Sequence, residues 1–207
     1  MIRSSAALAL CGVVITVAPA NHGENSPPPS VQPTFYQDLA RADALIGVAP
    51  ANRAENGPPS SEQPTLYQDL ARADAMVDAT AAQSLISGYR RNNRLEPLAV
   101  DPELMRIASE QARAMAARDK MTHDVGRPFE ERMRKAGFGG SVAIENVGAG
   151  YHTLAEAFSG WRDSPPHRAN MLNANVTHMG IAAVYSPKSK YKVFWALILA
   201  APDERRS

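Results

Sequence analysis

The residue with the most chemical potential in this chain sits in the run Trp161-Arg-Asp-Ser-Pro-Pro-His-Arg-Ala-Asn-Met-Leu172, where a histidine follows two prolines. Imidazole exchanges a proton near neutral pH and is the commonest metal ligand, so His167 on a stiffened backbone invites either chemistry. Ser164 is a preferred helix N-cap and Pro165 suits the first helical position, so a short helix is expected to begin here, with His167 in its first turn. Taken alone, His167 reads as a residue that caps or packs a loop. A nucleophile built on Ser164 is disfavoured, because no G-x-S-x-G turn is present and a helix cap is the simpler role. No H-E-x-x-H places two histidines on one helix face, so spacing by itself assigns no metal site. Gly137-Phe-Gly-Gly140 lacks the strand-to-helix context of a phosphate loop and reads as a turn.

The elements that must position His167 lie in the second half of the chain. Leu85, Ile86 and Tyr89 mark a helix that breaks near Asn92 and Asn93. Asp101-Pro102 supplies a cap and a first-turn proline for a second helix, with Leu104, Ile107, Ala108 and Met115 on one face. A third is expected from about Pro128 to Gly137, a C-terminal cap. A fourth opens with Thr153-Leu-Ala-Glu156, which has capping-box spacing, and turns Phe158 and Trp161 inward. Ile181 to Tyr185 and Lys192 to Ala200 read as two strands joined by a turn, the second apolar enough to be buried on both faces. His178 enters the first of these strands as a packing residue, while His22 and His152 read as exposed loop positions.

The first half reads differently. Residues 1–20 carry Arg3, an apolar run from Ala6 to Val17 and the small-x-small site Ala18-Pro-Ala20, the pattern of a secretory signal peptide. The run is shorter than the roughly 20 residues of a membrane span, so no transmembrane segment is expected. Cys11, the only cysteine, lies inside the signal behind Leu10 rather than a small residue, which disfavours lipid anchoring and leaves the mature chain without thiol chemistry. Residues Ala18 to Ala44 recur almost unchanged as Ala49 to Ala75. Each copy opens with Pro, Asn, Ser and Gly and closes on a short helical pattern, such as Leu66, Leu70, Ala73 and Val77. Residues 21–79 therefore read as a duplicated linker, 80–202 as one domain and 203–207 as a tail. Lys plus Arg, 22, nearly balances Asp plus Glu, 21, which argues against nucleic acid and against a polybasic membrane patch.

The series Leu85 to His123, then Ile144-Glu-Asn-Val-Gly-Ala-Gly150, then Trp161 to Leu172, then His178 to Tyr185 resembles bacterial members of the CAP superfamily, which includes the cysteine-rich secretory proteins, antigen 5 and the pathogenesis-related proteins. The resemblance spans residues 80–201 with the motifs in order. It implies an α+β fold, an α-β-α sandwich with a central mainly antiparallel sheet. It also implies a cleft lined by His123, Glu145 and His167. A fourth position, acidic in many eukaryotic members, is Ser164 here. Two neutral imidazoles and a carboxylate form a plausible set for a divalent metal, zinc foremost. The plain alternatives stay open: His123 bonding a turn, and Glu145 accepting backbone N–H groups near Asn146 and Gly148. Arg168 and Asn170 also match the motif and are expected to lock the loop around His167.

Two functional readings follow from the resemblance. One is an exported binding module, periplasmic or extracellular and a monomer or weak oligomer. Its cleft can hold a metal, and it engages a lipid, cell-wall material or a protein. The other is a zinc-dependent hydrolase, in which the metal activates water and Glu145 accepts its proton as the catalytic base. The binding module is favoured, because no oxyanion-stabilising group or substrate pocket is identifiable.

Overall fold

The computed structural model describes residues 14–15, 65–138 and 142–202. Most of the signal, the linker as far as residue 64, and the tail lie outside these. In chain order the elements are β1 (Val14–Ile15), a 3-10 turn (Thr65–Tyr67), α1 (Ala79–Asn92), β2 (Ala99–Val100), α2 (Pro102–Arg118), α3 (Phe129–Lys135), β3 (Ala143–Ala149), α4 (Leu154–Asp163), α5 (Pro165–Met171), β4 (His178–Tyr185) and β5 (Val193–Ala200).

Local chemistry accounts for most boundaries. Asp78 caps α1 by accepting from Thr80 and Ala81 N–H, and Asp101 caps α2 through Glu103 and Leu104, with Pro102 in the first turn. Thr153 and Glu156 form the reciprocal capping box of α4. After α3, Gly137 takes the left-handed backbone (φ 83°) that favours glycine.

The sheet order is β1-β3-β5-β4-β2. β5 runs antiparallel to both β3 and β4, while the two short edge strands pair in parallel, so the sheet is mainly antiparallel as expected. All eight residues of β5 are buried, in agreement with its unbroken apolar sequence. One apolar cluster joins α1, α4 and the segment from Leu66 to Val77 to one face of the sheet, around Trp161, Trp195 and Leu197. A second joins α2 and α3 to the other face, around Phe138, Phe194 and Ile198. The two helical layers make the expected sandwich. The register places Glu145, Ile198 and Gly180 in one cross-sheet row, and this row faces α2, because Gly180 abuts the backbone of Leu104.

Three features differ from expectation. The apolar period of Leu66 to Val77 does not form a helix; only Thr65–Tyr67 makes a 3-10 turn. Leu70 is nevertheless buried, and its N–H donates to His152 O at 2.8 Å, so the end of the second repeat packs as part of the folded domain. β3 is a full strand although Glu145, Asn146 and Gly148 interrupt its apolar pattern. Arg90 is buried and donates to the carbonyls of Glu96, Met171, Asn173 and Val176. Burial pushes its pKa down, but the four carbonyls satisfy the guanidinium and tie α1 to the end of α5.

Candidate functional site

β3 is the strand on which the candidate residues meet. Glu145 is buried on the α2 face, where His123, in the loop after α2, donates from Nδ1 to Glu145 Oε2 at 2.8 Å. Arg132 of α3, itself nearly buried, donates to Glu145 Oε1 from both terminal nitrogens at 3.1 Å and from one of them to Oε2 at 3.3 Å. The same guanidinium donates to His123 O at 2.9 Å and lies over the Phe129 ring, 5.2 Å from its centroid. The buried carboxylate is thus held by a cation and an imidazole together. The ionised carboxylate can only accept, so the His123 proton stays on Nδ1 and Nε2 becomes the basic ring nitrogen.

Successive side chains of a strand point to opposite faces, so Asn146 leaves β3 on the α5 side. Its Nδ2 donates to His167 O at 3.1 Å, and its Oδ1 accepts from Asn170 Nδ2 at 2.8 Å. Asn146 and Asn170 therefore seat α5 on β3 and fix the backbone of His167. Asn170 takes part in this bridge through Asn146, while Arg168 is exposed.

His167 is fully buried, and its Nδ1 shares a hydrogen bond with Ser164 Oγ at 2.8 Å. Ser164 has extended cap geometry but makes no side-chain cap bond to α5, so the expected helix-cap role is replaced by support of the imidazole. A hydroxyl can donate or accept, unlike the carboxylate beside His123, and so leaves the His167 tautomer adjustable.

The structure brings His123 and Glu145 into contact and ties His167 to the next residue of β3. It does not assemble a three-ligand metal set: among the described residues no group of three or more His, Cys, Asp or Glu is arranged to hold a metal ion. The physical reason lies in Glu145, whose oxygens are both engaged by Arg132 and His123. In this arrangement Glu145 stands as the carboxylate behind the His123 imidazole. Imidazole nitrogens are donor types that suit zinc, and the two rings are oriented separately, His123 by Glu145 and His167 by Ser164. Sequence reasoning missed Arg132 and Asn146. A buried carboxylate requires a cation, which was a signal to look for one among the basic residues of α3.

Residues 83–199 match the cysteine-rich secretory protein family, CAP. An uncharacterised protein of Bacillus subtilis, YkwD, is 31% identical over 121 residues, covering 52% of this chain and 47% of that protein. The chain thus spans about half the length of this relative. Among solved structures, an extracellular SCP-domain protein of Bacillus anthracis is 24% identical with a TM-score of 0.50, over 58% of this chain and 39% of the other. An outer surface protein of Borrelia burgdorferi is 18% identical with a TM-score of 0.54, over 62% of this chain and 98% of the other. These two likenesses concern the fold.

Proposed function

The chain belongs to the cysteine-rich secretory protein (CAP) family, and from that premise we propose that it is an exported binding module rather than a hydrolase. Export is supported by the signal pattern of residues 1–20 and by relatives described as extracellular and outer surface proteins. No helix among the described residues is long and apolar enough to cross a membrane. Val14–Ile15 pair with Asn146 and Val147, so removal of residues 1–20 takes this pairing away from β3 in the exported form. Mass spectrometry of exported protein is expected to find Asn21 as its first residue; a mature chain beginning at Met1 counts against export by this route.

The observation that carries the preference for binding is the engagement of Glu145. To act as a general base it would have to leave Arg132 or His123 in a buried setting. A lipid, cell-wall material or a protein is the ligand class in view.

A divalent cation, zinc foremost, is held in this reading by His123 and His167, with solvent completing its coordination. Calorimetric titration should show zinc uptake that weakens as the pH is lowered, because protons compete for both imidazoles. His167→Ala should weaken uptake severely. Glu145→Gln should weaken it on the order of 10- to 100-fold through loss of ring orientation. Equal uptake by wild type and His167→Ala removes His167 from the site. Peptide or ester hydrolysis abolished both by chelator and by Glu145→Gln would instead establish the hydrolase reading.

A further inference from the structure

A groove of about 640 Å³ opens along the outer side of α2, between its surface, the loop at Val125 to Arg127 and α3. This volume lies in the range of small-ligand sites. Its two walls differ in charge. On α2, Glu103 and Glu110 both grip Arg106, and two carboxylates against one guanidinium leave this wall net negative. On the other wall Arg132 is neutralised by Glu145, whereas Arg127 and Lys135 are exposed and add two positive charges. Ile107, Ala114 and Val125 supply an apolar bed between them.

Gln111 adds an independent observation. It lines the groove and is buried, and its Nε2 donates to Thr122 O at 2.6 Å and to His123 O at 3.2 Å. Turning the amide round would set its oxygen against two carbonyl oxygens, so its orientation is fixed by chemistry. Its Oε1 is left buried without a hydrogen-bond partner, an unfavourable state that a ligand N–H would relieve.

We propose that this groove binds a short peptide segment bearing a free carboxylate. The carboxylate pairs with Arg127 and Lys135, a small outward movement of Gln111 opens its buried Oε1 to a peptide N–H, and small side chains lie over Ile107 and Val125. Gln111 and Arg132 both hold the His123 carbonyl, so the groove adjoins the His123–Glu145 pair through shared residues while being a separate site. The inference rests on reading the chain as a binding module, and zinc uptake at the histidines is measured alongside so that the two ideas fail separately.

The test is a ¹⁵N-resolved NMR titration of the full chain with N-acetyl-trialanine and with its C-terminal amide, which differ only in the carboxylate. The acid is expected to shift the Gln111 side-chain amide and the Gly126 backbone resonance. The amide should bind about tenfold more weakly or worse, as should the acid to an Arg127→Ser, Lys135→Ser double variant, because charge-assisted bonds are lost in each case. Both substituted side chains are exposed, so the variant should keep the wild-type spectrum elsewhere and its zinc uptake. The proposal is overturned by absence of shifts at Gln111 and Gly126 up to millimolar peptide, by equal binding of acid and amide, or by undiminished binding to the double variant.

Discussion

Arg132→Met is expected to destabilise the domain by about 3 to 5 kcal/mol, since it leaves the Glu145 carboxylate buried without its cation. Glu145 and His123 are buried and Arg132 nearly so, so solvent cannot substitute for the lost guanidinium as it would at the surface. The Met side chain keeps much of the packing on Phe129, which makes charge the main change. If charge is the cause, the paired variant Arg132→Met with Glu145→Gln should recover a large part of the loss, because neither partner is then left as an isolated charge. Urea unfolding of the four proteins of this cycle checks it. Additive losses in the double variant would mean that Arg132 stabilises chiefly through its bonds to the Arg127 and His123 carbonyls.

The same cycle bears on the two functional readings. A carboxylate that depends on Arg132 for its burial is suited to orienting His123, since its charge and position are held fixed. A general base has to change its protonation during turnover, and every such change would disturb the contact between α3 and β3. Zinc uptake that falls in Arg132→Met, in samples shown to remain folded, would place Arg132 in the same positioning chain as Glu145.

What could be read from the sequence divides by the range of the interaction. Asp101-Pro102, the Thr153 to Glu156 box and the apolar run of β5 act within a few residues, and each element formed where its local signal placed it. β3 was hidden because its polar residues face partners distant in sequence. Glu145 meets His123 and Arg132, and Asn146 meets His167 and Asn170. Their polarity reflects this site rather than solvent. Leu66 to Val77 shows the converse: its helical period is real, but burial of Leu70 against the domain is achieved without a helix. Ser164 carried two compatible local meanings, and the buried imidazole three residues on took the hydroxyl.

Gly180→Ala should be at least as damaging, and for a reason that no periodicity discloses. α2 crosses β4 so closely that a β-carbon on Gly180 would overlap the backbone of Leu104 and Met105. A helix backbone cannot swing aside as a side chain can. The layer would have to separate, at a cost of about 3 kcal/mol or more. Gly160 is the control: a β-carbon there would overlap the ring end of Tyr151, which can rotate away, so Gly160→Ala should lose less and should be relieved in part by Tyr151→Ala. Thermal melts of the three variants decide it. Since Gly180 lies in the same cross-sheet row as Glu145, a folded Gly180→Ala protein should also lose zinc affinity, as α2 delivers the loop that carries His123. A Gly180→Ala melt within a few degrees of wild type would mean that α2 does not rest on β4 at this distance, and the alignment of His123 with Glu145 would then need another cause.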